Sequence, residues 1–209
     1  MIKSKLKDTK YLTLLGIFLA IEIILASTPL GFVPLGFTKA TTVHIPVIIG
    51  AITLGPLAGM ILGAAFGISS IIVSTVTPSL TAFVFSPFVT IGGVRGNIFS
   101  LVIALVPRIL IGVTAYFSYK ATLKITKKNT VAYATAGVVG SMTNTILVMS
   151  LIYTFFGEQY AAAREIEFEA LFALIMSIVG INGVPEAIVA GIIVTLVCTA
   201  LGKVFKNKF

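Results

Sequence analysis

The sequence predicts an all-α integral membrane protein of six transmembrane helices, on three observations. Hydrophobic residues make up 57% of the 209-residue chain and charged residues only 11%, with a mean hydropathy of +1.10. So few charges cannot cover the surface of a soluble domain of this length. The apolar residues fall in long runs separated by Gly, Pro and charge clusters, as expected of helices that satisfy their own backbone inside lipid. The lysines collect in three segments that six crossings bring to one side. The whole chain, 1–209, is expected to form one transmembrane domain.

The first helix is expected over 11–27, after Lys3, Lys5, Lys7 and Lys10. A basic start and an apolar run also describe a signal peptide. Glu22 interrupts the run and no small-x-small cleavage site follows, so the helix is read as retained. Pro29, Gly31, Pro34 and Gly36 then break the chain. A second helix is expected over 42–54, and Gly55-Pro56 turns sharply into a third over 57–73. Both are short against the roughly 20 residues needed to cross ~30 Å of hydrocarbon. At least one should therefore be covered by protein or line a cavity; a re-entrant pair leaving five crossings is the competing arrangement. A loop over 74–97 is rich in Ser, Thr, Gly and Pro, with turn-forming Pro78 and Pro87. The fourth helix is expected over 98–119, then a basic connector over 120–129 and the fifth helix over 130–156. An acidic segment follows at 157–169. The last apolar stretch, 170–204, is interrupted by Asn182-Gly183 and Pro185 and reads as a short helix, a break, and a sixth helix over 184–204.

Six crossings put Lys3, Lys5, Lys7, Lys10, Lys120, Lys124, Lys127, Lys128, Lys203, Lys206 and Lys208 on one side, against Lys39, Arg95 and Arg164 on the other. The positive-inside bias then places both termini in the cytoplasm and the 74–97 loop outside. The same asymmetry accounts for the net charge of +8 without invoking nucleic acid. One cysteine, Cys198, excludes a disulfide within the chain. A single histidine and no HExxH pattern leave no expected metal site. There is no GxxxxGK[ST] phosphate loop and no nucleophile–base pair at usable spacing, so an enzyme is not expected.

Polar groups inside the apolar runs are the candidates for a solute site. Glu22, Arg108 and Glu186 each cost at least ~2.5 kcal/mol at a helix centre, so each should face the bundle or a wet cavity. Arg108 lies ten residues into the fourth helix, roughly 15 Å below its outer end. It has two readings: an internal ion pair with Glu22 or Glu186, or the floor of a site for an anionic group, with Glu186 orienting it. Thr41 and His44 sit at the mouth of the second helix, where the histidine is either packed and hydrogen-bonded or a solute contact. Asn144, within Ser141-Met-Thr-Asn-Thr145, is either an interhelical hydrogen-bonding group or a solute contact. Asn182 is expected to cap the last helix, with Pro185 in its first turn and Glu186 at its positive end. Such a helix start can also point its amides at a solute. Phe83, Phe85 and Phe88 offer an aromatic lid or simple packing. Gly55, Gly59, Gly63 and Gly67 put a flat stripe along the third helix, and Gly16 and Ala20 do so on the first. Such stripes let helices approach closely, within the chain or against another membrane protein.

Together, Thr42-Val-His-Ile-Pro-Val-Ile-Ile-Gly-Ala51, Leu54-Gly-Pro-Leu-Ala-Gly59, Gly67-Ile-Ser-Ser70, Phe83-Val-Phe-Ser-Pro-Phe88, Val106-Pro-Arg108 and Asn182-Gly-Val-Pro-Glu186 resemble the substrate-binding components of energy-coupling factor vitamin transporters. Within that family the chain looks most like the pantothenate-type group. The resemblance implies a six-helix receptor that captures a vitamin from outside with high affinity and topples in the membrane to deliver it. It implies an ATP-driven, ABC-type assembly in which the receptor docks on a transmembrane coupling protein of the EcfT type, carried by two ATPase subunits of the EcfA type. The family's small-xxx-small docking motif maps onto Gly16 and Ala20, with Gly for the more usual Ala; Gly59 and Gly63 are further candidate partner contacts. The family's pocket, between the outer loops and the last three helices, maps onto Thr41, His44, Phe85, Arg95, Asn97, Arg108, Asn144, Asn182 and Glu186. Pantothenate has a carboxylate, two hydroxyls and an amide. Arg95 or Arg108 suits the carboxylate, and Asn and Thr side chains suit the rest. Folate, riboflavin or cobalamin are the alternative vitamins. A stand-alone secondary transporter, the reading from another class, needs coupling acids along a through-path and often an internal repeat, and no clear repeat is seen.

Overall fold

The computed structural model describes residues 8–35 and 38–204. Lys3, Lys5, Lys7, Gly36, Lys206 and Lys208, which entered the reading above, lie outside the described residues. Helix α1 runs Thr9–Ser27, started by Asp8, whose side chain accepts from the Lys10 N–H at 2.9 Å. A hairpin of β1 (Phe32–Leu35) and β2 (Thr38–Thr41) leads into α2, His44–Leu54. Gly55, at φ 101°, makes the joint, and Pro56 opens α3, Pro56–Val76, where its missing N–H is not needed. The following segment holds a 3₁₀ turn, Ala82–Val84, and a small hairpin of β3 (Thr90–Ile91) and β4 (Val94–Arg95). Gly92 and Gly93, both at positive φ, form the two-residue turn of that hairpin.

Helix α4, Ile98–Thr126, begins with a full capping box: Asn97 accepts from the helix start and the Ser100 hydroxyl accepts from the Asn97 N–H at 3.0 Å. It continues two turns past the expected end at 119, so the expected basic connector is mostly helix. The turn is only Lys127, in the left-handed region at φ 56°, and Lys128. Helix α5, Asn129–Ala163, likewise runs beyond the expected end at 156, with a kink at Phe156 (φ −135°, ψ 20°). Helices α6 (Phe168–Ile178) and α7 (Val184–Val204) are joined without a break by a π-helical turn, Val179–Gly183. The expected break and the capping role of Asn182 are thus corrected. Pro185 crowds the turn before it, and widening that turn so that the Val184 N–H bonds Val179 O accommodates the ring inside a continuous helix.

Among the described residues, five helical stretches are long and apolar enough to cross a membrane: α1, α3, α4, α5 and the continuous Phe168–Lys203. The third predicted helix is thus not short, since α3 has 21 residues. Helix α2 has 11, or roughly 16 Å. It is buried from Val43 to Ala51, which explains a sequence that is apolar on every side. The other helices sheathe it: α1 packs on α2 and α3, and α7 packs on α2 and α5.

Small residues set the helix spacing. Gly59 lies against Gly112, Gly63 against the Arg108 backbone and Gly67 against Ala104. That constant register makes α3 and α4 an antiparallel pair in close backbone contact. Gly137 does the same for α5 against Ala190 and Gly191 of α7. The bundle therefore has two distinct ends. Leu14, Thr53, Tyr119, Tyr133 and Leu201 meet at the end bearing Lys10, Lys120, Lys124, Lys127, Lys128 and Lys203, around a cleft of about 180 Å³. Both hairpins lie at the opposite end.

Candidate solute site

Arg108 is held by an unusual arrangement that begins in the local sequence. Pro107 has no N–H, so the Ile103 carbonyl one turn earlier loses its helical partner. The Arg108 Nη1 takes that place, donating to Ile103 O at 2.6 Å. The guanidinium lies 5.4 Å from the Phe66 ring of α3 and 5.1 Å from the Phe85 ring of the segment 77–97. Two aromatic faces and one carbonyl stabilise the cation. It is buried, and among the described residues it reaches no carboxylate and its Nε has no partner.

The expected ion pair is therefore not formed. Glu186 is used elsewhere: its Oε1 accepts from the Thr41 N–H at 2.9 Å, tying β2 to α7. Glu22 is fully buried on α1, and neither of its oxygens has a hydrogen-bond partner.

The segment 77–97 is inserted into the hairpin end. Ser100 donates to Phe83 O at 2.7 Å, Thr75 and Ser86 hydroxyls meet at 2.7 Å, and Phe83 packs on Phe156 with ring centroids 5.7 Å apart. A Cβ at Gly96 would strike the Ser86 carbonyl, so only glycine lets the chain pass there. This anchoring is what sets Phe85 over Arg108.

A second polar group lies deeper. Ile48 of α2 touches Gly140 of α5, and Thr143 of α5 donates to Thr114 of α4 at 3.0 Å. Helices α2 and α5 run in opposite directions, so His44, one turn before Ile48, shares a level with Asn144, one turn after Gly140. Ser141 Oγ and Asn144 Oδ1 are buried without a partner, and His44 is buried beside the Thr41 backbone. Gly183 abuts Thr145 and places the buried Asn182 at the same level, on the facing helix. Buried polar atoms normally find partners, so Ser141 Oγ, Asn144 Oδ1 and Arg108 Nε have unused hydrogen-bonding capacity.

The sequence-predicted residues thus fall into groups. Arg108 and Phe85 come together, as do Thr41 and Glu186; His44, Asn144 and Asn182 share a level. Arg95 is exposed on β4, and Asn97 is exposed with its side chain spent on the α4 cap. Phe66, Ser100 and Ser141 were missed. Ser141 had a visible signal in the polar run 141–145, whereas Phe66 looks like any apolar helix residue. Among the described residues, the cleft described above and another of about 290 Å³ beside Phe18, Ile45 and Ile193 open on the surface; neither is lined by Arg108, His44, Asn144 or Glu186. Gly59 and Gly63, expected as partner contacts, are buried against α4. Gly16 and Ala20 are exposed, and nothing lies within 4 Å of a Cβ built at Gly16.

Membrane-length helices enclosing a cation and amides at depth make this a multi-pass protein of the cell membrane, built to hold polar chemistry away from lipid. The sequence profile of the family described as ECF transporter, substrate-specific component, matches residues 10–198, and the chain belongs to that family. It is 36% identical over 210 aligned positions, covering 99% of both chains, to the pantothenic acid transporter PanT of Lactococcus lactis subsp. cremoris (strain MG1363).

Proposed function

We propose that this chain is the pantothenate-capturing subunit of an energy-coupling factor importer. The observation that carries the reading is the buried Arg108 guanidinium, which no carboxylate among the described residues neutralises. An uncompensated charge at that depth is costly, and the carboxylate of an anionic solute relieves it with charge-assisted hydrogen bonds. The likeness to a pantothenic acid transporter along the whole chain supports the choice of vitamin. Along the helix axes, Arg108 sits roughly 7 Å nearer the hairpin end than Asn144. An extended molecule with a carboxylate at one end and hydroxyls and an amide towards the other suits Arg108 above His44, Ser141 and Asn144.

In this reading α2 counts as the sixth helix, both termini are cytoplasmic, and the solute enters at the hairpin end. ATP hydrolysis falls to two EcfA-type subunits through an EcfT-type coupling protein that meets α1 at Gly16 and Ala20. Calorimetry of the purified protein with pantothenate, folate, riboflavin and cobalamin tests it. Pantothenate is expected to bind most tightly, and tighter binding of another vitamin overturns the choice.

A further inference from the structure

We infer that Pro107 is a positioning residue that makes the site selective for an anion. The inference rests on the reading of Arg108 as the group that meets the solute's carboxylate. An arginine inside a bilayer bundle is anchored either by an acid or by backbone carbonyls, and an acid would cancel the charge a carboxylate ligand needs. In this chain the anchor is neutral. Pro107 withholds the N–H that would otherwise bond Ile103 O, and the freed carbonyl accepts from Arg108 Nη1 at 2.6 Å. A guanidinium has five N–H donors, so one bond fixes the group and leaves others to a ligand; Nε is among those without a partner. Phe66 and Phe85 cover the cation without neutralising it. Neither carboxylate at membrane depth is paired with Arg108: Glu186 accepts from the Thr41 N–H, and Glu22, on α1, has no hydrogen-bond partner. Pro107 thus frees the uncharged anchor, Ile103 O, for the charge carried by its neighbour Arg108.

Pro107→Ala restores the N–H, which then competes for Ile103 O and releases the guanidinium. Alanine is the better helix former, so loss of folding is not expected. The probes are pantothenate and pantothenol, in which a CH₂OH replaces the carboxylate; pantothenol affinity and the melting temperature report the integrity of the rest of the site. In the wild type the acid is expected to bind more tightly than the alcohol. In Pro107→Ala that ratio is expected to fall roughly tenfold or more, as for a lost hydrogen bond to a charged group, while the alcohol's affinity holds. A merely structural proline would weaken both probes alike or lower the melting temperature, and either result overturns the inference. A wild type that prefers the acid, with a variant that prefers it equally, overturns the role of Pro107 alone. A wild type with no preference overturns the reading of Arg108 as well.

Discussion

In the proposed reading Arg108 is the residue that meets the vitamin's carboxylate, and its surroundings set the expected size of its effect. The guanidinium has one hydrogen-bonded carbonyl and two aromatic faces, so its truncation leaves Ile103 O unpaired and removes the cation from the lining. Arg108→Ala is expected to cost at least about 2 kcal/mol of vitamin binding, or more than roughly 30-fold in affinity. Arg108→Lys keeps the charge but not the planar fork of donors, and is expected to fall between. Titration calorimetry on variants of wild-type melting temperature measures both; an unchanged affinity for Arg108→Ala removes the residue from the site. Arg108 was legible in the sequence because a charge in an apolar run is rare and must be accommodated. Its contacts were not legible. The ion pair with a glutamate was chemically sensible, but pairing depends on which helix faces which, and Glu186 instead meets the backbone of a hairpin 145 positions away.

Among the elements, the glycine stripes show what periodicity settles and what it leaves open. A spacing of four residues announces a flat helix face without saying what lies on it. On α3 that face is filled by α4: a Cβ at Gly63 would strike the Arg108 carbonyl, and one at Gly67 would lie 2.6 Å from Ala104 O. On α1 the buried side carries Tyr11, Leu15, Glu22 and Ala26, while Gly16 and Ala20 lie on the opposite side. Gly63→Leu is therefore expected to destabilise the isolated protein by at least about 1–3 kcal/mol, the cost of forcing bulk into a filled seam. Gly16→Leu is expected to leave its melting temperature and vitamin affinity unchanged and to weaken co-purification with the coupling protein and ATPases. Equal retention of those partners by Gly16→Leu would remove the stripe from the docking face. Helix starts were more legible than helix ends. The Asn97 to Ser100 box marks where α4 begins, but the Lys- and Thr-rich stretch after 119 has no breaker, so the helix simply continues. Asn182-Gly-Val-Pro185 contains breakers and still does not break, because one π turn absorbs the proline.

For the whole molecule, the remaining question is which end meets the outside. Every described lysine except Lys39 lies at or near the end opposite the hairpins: Lys10 in the first turn of α1, Lys120 to Lys128 around the α4–α5 turn, and Lys203 in the last turn of α7. Retaining basic residues on the cytoplasmic side orients such a bundle, so in the proposed reading the segment 77–97 over Arg108 faces outward. That is also the orientation the proposed importer requires, since its entrance must lie on the side where the solute is. Cys198 is the only cysteine and is 2% exposed, so it leaves a quiet background for labelling. Ser79, exposed beside the cover, and Lys127, exposed at the α4–α5 turn, sit at opposite ends. In intact cells a membrane-impermeant maleimide is expected to modify Ser79→Cys and to spare Lys127→Cys, which should react only after permeabilisation. Bound pantothenate should slow the reaction at Ser79→Cys if the cover closes over the vitamin, with Lys127→Cys as the internal control. The reverse labelling pattern would put the lysines outside, and with it the entrance on the wrong side for uptake.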